Sequence, residues 1–230
     1  MKIEAMQKLT LLDYPQKMAA TIFTYGCNFR CPFCHNAGLV TEESEQGISE
    51  EEVLRFLSTR KGILDGVCIT GGEPLLQPDI EDFIRKIKEM GFLVKLDTNG
   101  SFPRKLKDLV SKGLVDYVAM DVKNSKEKYA LTCGKTVFDL SKIIESVDFL
   151  KLGTVPYEFR TTVTRTFHTF DDLNCIAKWL SGCDALYLQQ FVDSGNLIDK
   201  SLEGYENDEL KEMYKEIKRS YPATHLRGIS

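Results

Sequence analysis

The feature that most constrains the fold is a strand pattern followed by a helix pattern, repeated six times along the 230 residues. Short apolar runs bounded by glycine or polar residues predict strands, and longer stretches with apolar residues three and four positions apart predict helices. Six such alternations favour an α/β fold with a parallel sheet and right-handed crossovers. The predicted strands are Ala19–Tyr25, Val67–Thr70, Phe92–Leu96, Val115–Met120, Tyr157–Val163 and Ala185–Phe191.

The predicted helices carry start and stop signals at their ends. Ser49 is typical of an N-cap, and Glu52 completes a capping box that opens a helix through about Arg60. Asp79 is predicted to cap the next helix and Gly91 to end it. The later helices are predicted between Gly100 and Gly113 and over Asp139–Leu150, Asp171–Leu180 and Asn207–Arg219.

Glycine and polar residues follow strand after strand at the carboxyl end. Barrels of alternating strands and helices build their active sites at this rim. The sequence therefore predicts an α/β fold of the partial (β/α)6 TIM-like barrel type, with parallel strands and one open side, as a single domain over residues 1–230. The rim groups are the loop Cys27–Cys34, then Gly71-Gly72-Glu73, then Asp97-Thr98, then Asp121 with Lys123.

Composition and charge exclude several classes of protein. A net charge of −4 does not indicate a surface for nucleic acid, so no nucleic-acid partner is expected. No apolar run approaches membrane-spanning length, so no membrane partner is expected either. The first residues lack the apolar core and cleavage site of a signal peptide, and we expect a cytoplasmic protein.

Three cysteines, Cys27, Cys31 and Cys34, lie within eight residues. Three thiolates from one loop can hold a soft metal centre. A [4Fe–4S] cluster normally takes four cysteines, so three leave one iron open for chemistry. The alternative is a Cys3His zinc site that includes His35. Adjacent residues rarely reach the same tetrahedral ion, and a chain of this size needs no structural zinc to build a core, so an iron–sulfur site is favoured.

The remaining four cysteines are Cys68, Cys133, Cys175 and Cys183. They lie far apart in the sequence, and a disulfide framework would suit a small secreted protein instead. We interpret them as small core residues or inert thiols.

Two rim motifs have a functional and a structural interpretation. The glycines of Gly71-Gly72-Glu73 permit close backbone approach to a ligand, and the carboxylate can accept hydrogen bonds from an amine. The same motif is also compatible with a simple strand-to-loop turn. Asp97 and Thr98 are placed to face a ribose or a hard cation, whereas Asn99-Gly100 is in itself a turn signal.

Asp121 and Lys123 form the last rim motif. Their spacing of two residues places both on one face of a strand. Their position at the rim favours a functional role, and the alternative is a salt bridge of little value to stability.

These motifs together resemble the radical S-adenosylmethionine (SAM) superfamily. The resemblance implies a [4Fe–4S] cluster held by Cys27, Cys31 and Cys34, with SAM chelating the open iron. It implies reductive cleavage of SAM to a 5′-deoxyadenosyl radical that abstracts a hydrogen atom, so no side chain is expected to act as an acid or base. The residues that it implies for cofactor binding are Gly71, Gly72 and Glu73 at the methionine amine, Phe33 near the adenine, Asp121, Lys123 and Arg160 at the carboxylate and ribose, and also His35, Asp97 and Thr98.

Neighbouring residues resemble the activases of glycyl radical enzymes. The segments that carry this likeness are Cys34-His35-Asn36, Leu96–Gly100 and Met120–Lys123. The lead-in Asp13-Tyr14-Pro15, the start Tyr25-Gly26-Cys27 and the late segments Gln189-Gln190-Phe191 and Gly195-Asn196-Leu197 look most like the activating proteins of anaerobic ribonucleoside-triphosphate reductase.

The resemblance implies a glycyl radical enzyme as the protein substrate and a flavodoxin or ferredoxin as the electron donor. Asp13 is a further candidate for contact with the glycine loop of the partner. The alternatives are an activase of pyruvate formate-lyase or of another glycyl radical enzyme, and a radical SAM enzyme that acts on a small molecule. From another class, the alternative is a non-catalytic metal-binding or electron-transfer module.

The chain departs from its relatives at three places. Gln16 stands where relatives often have glycine, and Ala37-Gly38 stands where a Pro-Glu pair is common. No second cysteine cluster lies between His35 and Val67, which favours the compact, single-cluster type of activase.

Overall fold

Strands and helices alternate along the computed structural model, which describes residues 1–41, 47–193 and 195–229. The strands are β1 (Ile3–Thr10), β2 (Ala19–Thr24), β3 (Gly66–Gly71), β4 (Leu93–Thr98), β5 (Tyr117–Asp121), β6 (Tyr157–Val163), β7 (Leu186–Gln190) and β8 (Thr224–Arg227). The helices are α1 (Ala37–Thr41), α2 (Glu50–Ser58), α3 (Ile80–Glu89), α4 (Pro103–Ser111), α5 (Tyr129–Thr132), α6 (Ser141–Leu150), α7 (Phe170–Trp179) and α8 (Asn207–Ser220), with a 3₁₀ turn at Pro74–Leu76.

Hydrogen bonding between strands follows the chain order from β1 to β8, so these two strands stand at the ends of the sheet. The six predicted strands correspond to β2–β7, and the α/β class is confirmed. The prediction missed β1 and β8, because only the two end residues of β1 are buried and β8 has only four residues. No helix in the described ranges is both long and apolar enough to cross a membrane.

The chain divides into two compact units. The first unit contains residues 1–28, 38–119 and 154–156, and the second contains 29–37, 120–153 and the chain from Tyr157 onward. The division into units does not test the single domain expected over residues 1–230, which stays a prediction.

In the first unit β1 pairs antiparallel with β2, while β2, β3 and β4 are parallel. Ile22, Ile69 and Leu96 are neighbours in register and are fully buried. Burial of such a side chain contributes about 1.5–3 kcal/mol to stability. Since the three strands are parallel, the loops after Thr24, Gly71 and Thr98 leave the same edge of the sheet.

In the second unit β6, β7 and β8 are parallel neighbours. Helix α7 begins with a capping box of Thr169 and Asp172 rather than at the predicted Asp171. Helix α6 begins at Ser141 because the Asp139 carboxylate accepts hydrogen bonds from the Ser141 backbone and hydroxyl.

The two N-caps predicted for helices of the first unit, Ser49 and Asp79, had different outcomes. The capping box of Ser49 and Glu52 is confirmed, with both reciprocal hydrogen bonds present. Asp79 occupies the N-cap position of α3, but the prediction that its side chain caps the helix is wrong. Its carboxylate contacts the terminal ammonium of Met1 instead.

Gln16 has a backbone φ of 59° and is the one non-glycine residue of the described ranges in the left-handed region. This conformation favours glycine, which lacks the Cβ that clashes there. A glycine at this position would adopt the turn without that clash.

Candidate functional site

Gly71, the last residue of β3, and Gly72, which follows it, lie against the backbone that leads into Cys27. A Cβ added at Gly72 would stand 1.9 Å from the carbonyl oxygen of Gly26, and one at Gly71 would stand 2.4 Å from the Thr24 nitrogen. Gly71 also has a φ of 113°. The Gly26 carbonyl accepts the Glu73 N–H at 2.8 Å. Close packing of two loops thus requires both glycines, while their contact with a ligand stays a prediction.

Glu73 ties the glycine loop to the end of β4. Its side chain is fully buried, and its carboxylate accepts hydrogen bonds from Thr98 Oγ1 at 2.8 Å, the Asn99 N–H at 2.7 Å and the Leu75 N–H at 3.0 Å. A ligand amine would have to share these oxygens. The predicted binding roles of Glu73 and Thr98 remain untested beside this clear structural role.

Asn99 connects the end of β4 to the first cysteine of the triplet. Its amide nitrogen Nδ2 lies 3.9 Å from Cys27 Sγ and donates to Asn28 Oδ1 at 2.9 Å. Its Oδ1 accepts the Ser101 N–H at 2.9 Å, which fixes the orientation of the amide. An N–H donor beside a thiolate stabilises the charged form of the sulfur. The sequence alone predicts only a turn at Asn99, because nothing in its local pattern indicates a contact with Cys27.

Asp97 is the second-to-last residue of β4. Its carboxylate contacts the ammonium group of Lys95. Asp13, the further candidate of this unit, accepts a hydrogen bond from Thr21 Oγ1 at 2.6 Å. Its contact with a partner protein stays a prediction.

In the second unit the rest of the cysteine loop is held by the late segment of the chain. The Cys34 N–H donates to the Cys31 carbonyl at 3.0 Å, which closes a tight turn. The Pro32 carbonyl accepts the Asp199 N–H at 3.0 Å, and the Asn196 carbonyl accepts the Ala37 N–H at 3.4 Å. The late segment with Asn196 therefore has a structural role, because its backbone hydrogen bonds hold the loop that carries Cys31 and Cys34 in place.

The two aromatic candidates of the loop pack inside this unit. Phe33 is 3% exposed and lies 6.0 Å from the ring of Phe167 and 6.2 Å from the ring of His168. His35 stacks on Phe191 with 5.6 Å between ring centroids. Burial, aided by the charge of Lys123, lowers the pKa of His35, so its imidazole is neutral at pH 7. Cofactor contact by Phe33 and His35 stays a prediction.

Asp121, Lys123 and Arg160 form one charged cluster. Lys123 Nζ lies 3.0 Å from Asp121 Oδ2, and Arg160 Nε lies 2.9 Å from Asp121 Oδ1. Burial alone would raise the pKa of Asp121, but the two cations outweigh it and hold that pKa well below its usual range. Burial likewise opposes the charge of Lys123, and Asp121 with Cys31 outweighs it and raises the pKa of Lys123. The salt bridge considered from the sequence is present, and it holds two cations at fixed positions.

Cys133 is a residue of this unit that the sequence analysis set aside. It is fully buried, its carbonyl accepts the Arg30 N–H at 3.0 Å, and its thiol is hydrogen-bonded to Cys31. That hydrogen bond is the largest cause that lowers the pKa of Cys31, against burial, which raises it. A Cβ at Gly134 would stand 2.3 Å from the Arg30 carbonyl oxygen, so this glycine permits the contact.

The donor chemistry of the triplet fits an iron–sulfur cluster. All seven cysteines are thiols, and Cys27 and Cys31 each have a hydrogen-bond donor at the sulfur. In the described part of the chain, no three His, Cys, Asp or Glu side chains converge as they would around one metal ion.

Comparisons with known proteins agree with these observations. The family described as the radical SAM superfamily matches residues 21–174. A protein of Methanocaldococcus jannaschii, provisionally named a glycyl-radical enzyme activating enzyme, is 35% identical over 99% of this chain and 96% of its own length.

Solved structures share the fold. Streptococcus suis SuiB bound to its precursor peptide SuiA superposes with a TM-score of 0.74 at 14% identity, over 90% of this chain and 48% of that one. A domain of a pyruvate-formate lyase-activating enzyme from Bacteroides vulgatus gives a TM-score of 0.57 at 16% identity, over 71% of this chain and 99% of that one. The likeness confirms the predicted α/β fold of the partial (β/α)6 barrel type.

Proposed function

Because the chain belongs to the radical SAM superfamily, we propose that it activates a glycyl radical enzyme by removing a hydrogen atom from a backbone glycine of that partner. The superfamily uses a [4Fe–4S] cluster and SAM, and these are the cofactors of this protein. When bound, they supply the electron and the 5′-deoxyadenosyl radical for this step. The observation that carries the proposal is the similarity, over nearly the whole chain, to a protein named as such an activase.

Cys27, Cys31 and Cys34 are proposed to hold the cluster. Three thiolates leave one iron without a protein ligand, which suits a cofactor that brings its own amine and carboxylate. The amide of Asn99 and the thiol of Cys133 stabilise the charged form of two of these sulfurs.

The cationic cluster of the second unit is proposed to bind the anionic part of SAM. Arg160 and Lys123 are held beside Asp121, so their positive charges are fixed before any ligand arrives. Fixed cations bind a carboxylate without ordering flexible side chains at the same time. Asp121 itself suits a ribose hydroxyl, because a charged acceptor makes a strong hydrogen bond.

The remaining binding roles follow from the first unit and the cysteine loop. The backbone at Gly71 and Gly72, with the Glu73 carboxylate, is proposed for the methionine amine. Asp97 is proposed for a ribose hydroxyl, with Thr98 fixed beside it. For the adenine and its surroundings we propose Phe33 and His35.

Anaerobic ribonucleoside-triphosphate reductase is the proposed partner, and a flavodoxin or ferredoxin the proposed electron donor. The support is the set of lead-in and late segments described above, of which Asn196 has a defined place beside the cysteine loop. Hydrogen abstraction needs no general base, and we assign none.

A partner screen tests the proposal. The anaerobically reconstituted protein is mixed with SAM, a reductant and, in turn, an anaerobic ribonucleotide reductase and a pyruvate formate-lyase. We expect the electron paramagnetic resonance doublet of a glycyl radical with the reductase. A doublet with pyruvate formate-lyase alone would reassign the partner. Formation of 5′-deoxyadenosine without a radical on either protein would instead favour a small-molecule substrate.

A further inference from the structure

Lys95, a lysine inside strand β4, is left unexplained by the proposed function. Its side chain is 2% exposed, although lysine is almost never fully buried unless it is paired. In the register of the parallel strands Lys95 is the neighbour of Cys68 on β3, and Cys68 is the neighbour of Thr21 on β2. The three side chains therefore project from one face of this part of the sheet.

Asp97 is the charge partner of this lysine. It stands two residues after Lys95 on the same face, and its Oδ1 contacts Lys95 Nζ. Lys95 Nζ lies 3.8 Å from Cys68 Sγ, and Cys68 Sγ lies 3.7 Å from Asp97 Oδ1. The side chain of Asp97 is 12% exposed, so the ammonium is the more deeply buried member of the pair.

Stability alone does not account for a lysine at this position. Burial removes the hydration of an ammonium group, and a buried ion pair is often no more stable than well-packed apolar residues of similar volume. Parallel strands that are buried on both faces are normally rich in valine, isoleucine and leucine. A buried ammonium group at Lys95 therefore indicates that the Asp97 carboxylate, which it neutralises, has a functional role.

We propose that Lys95 is a positioning residue for Asp97: its ammonium group is the fixed counter-ion of that carboxylate, so that Asp97 binds a ribose hydroxyl of SAM without a metal ion. The inference rests on the proposed function, which assigns SAM to this rim. A metal ion bound to the Asp97 carboxylate would lie close to the ammonium group of Lys95, and two positive charges so close together repel each other. Of the ribose and the hard cation considered for Asp97 from the sequence, the ion pair favours the ribose.

The test compares Lys95→Met, Asp97→Asn and the double variant in the full chain. SAM dissociation constants are measured anaerobically on protein reconstituted with its cluster, and thermal unfolding is followed without cofactor. We expect Lys95→Met to weaken SAM binding about tenfold, the loss of one hydrogen bond to a charged group. It should also lower the unfolding midpoint, which Asp97→Asn should largely restore without restoring SAM affinity.

Salt identity tests the claim that no metal ion is needed. The wild-type affinity for SAM should be equal in sodium, potassium and tetramethylammonium chloride at one ionic strength, and unchanged by EDTA. A wild-type affinity that requires sodium, potassium or a divalent ion would overturn the inference.

Lys88→Met is the matched control. Lys88 Nζ lies 2.7 Å from Asp116 Oδ2 in the same unit, and this pair has no proposed contact with a cofactor. Its loss should leave SAM affinity unchanged. An equal loss of affinity in the control, or an unchanged affinity in Lys95→Met, would contradict the positioning role. If the wild-type protein bound no SAM, the proposed function would fail too, so the two failures are distinguishable.

Discussion

Asp97 and Asp121 end neighbouring strands of the chain, and each has a lysine two residues away, but in opposite order. In the first unit Lys95 precedes its aspartate and is buried within the strand. In the second unit Lys123 follows its aspartate, and Arg160 adds a second cation at 2.9 Å. Asp97 thus contacts a lysine that is buried within its own strand, whereas Asp121 contacts both a lysine and an arginine. The same spacing of two residues therefore gives a buried lysine contact in one place and a three-residue charged cluster in the other.

Lys95→Met should give the largest effect on stability. It removes the buried ammonium group that contacts the Asp97 carboxylate, and breaking a buried pair from one side costs about 3–5 kcal/mol. Denaturant unfolding of the cofactor-free protein measures the free energy of unfolding. A loss below about 1 kcal/mol, the range of exposed pairs, would show that water solvates this pair.

Asp121→Asn should have the next largest effect and should depend on pH. The pKa of Asp121 is lowered in the folded protein, so its contribution is present above the unfolded value of about 3.9 and is lost as pH falls toward the folded pKa. The raised pKa of Lys123 works in the opposite sense, and its contribution is present below about 10.4 and is lost at higher pH.

The stability difference between the wild type and Asp121→Asn should therefore be constant from about pH 5 to 9 and shrink toward both extremes. Unfolding curves across this range measure it. Asp148→Asn is a suitable control, because Asp148 is an exposed residue of helix α6. A difference that grows below pH 4 would mean that the Asp121 pKa is not lowered.

Arg160→Met should cost less than either change, about 1.5–3 kcal/mol for a hydrogen bond to a charged group. Lys123 Nζ remains 3.0 Å from the other carboxylate oxygen and continues to balance the charge. The same denaturant assay applies. If Arg160→Met lowered the free energy of unfolding as much as Lys95→Met, this expectation would be wrong, because Lys123 would then not compensate for the loss of Arg160.

Lys88→Met should have the smallest effect, within about 1 kcal/mol. Its pair with Asp116 is partly exposed, so water replaces the lost contact. The free energy of unfolding of Lys88→Met gives the contribution of a partly exposed ion pair in this unit. The contribution of the buried pair of Lys95 and Asp97 can then be compared with it. A cost as large as that of Lys95→Met would show that burial is not what distinguishes the two pairs.

The repeated pattern of strand and helix was enough to predict β2–β7 and the ends of most helices, because apolar periodicity and capping residues are local signals. The capping role of Asp79 was predicted wrongly because its competing partner, the ammonium of Met1, is distant in sequence. Strand β1 was not predicted, since all six of its inner residues are exposed or only half-buried.

The chemistry of the site divides in the same way. Cys27, Cys31 and Cys34 could be predicted as metal ligands from spacing alone, because soft ligands rarely cluster without a metal centre. The contacts of Asn99 and Cys133 could not be predicted, since their partners are 72 and 102 positions away and loop packing brings them together. Lys95 was overlooked, although it has the same spacing of two residues from Asp97 that indicated the pair of Asp121 and Lys123. A lysine in a strand ordinarily faces solvent, and only its contact with Asp97 shows otherwise.

The most direct test of the account is anaerobic reconstitution with iron and sulfide, followed by reduction in the presence of SAM and measurement of 5′-deoxyadenosine. The account predicts a [4Fe–4S] spectrum that changes when SAM is added, with 5′-deoxyadenosine formed by the wild type and none by Cys31→Ala. Cys175→Ala, which alters an exposed cysteine outside the triplet, should behave as the wild type. One equivalent of bound zinc without iron, or 5′-deoxyadenosine formed equally by Cys31→Ala, would contradict it.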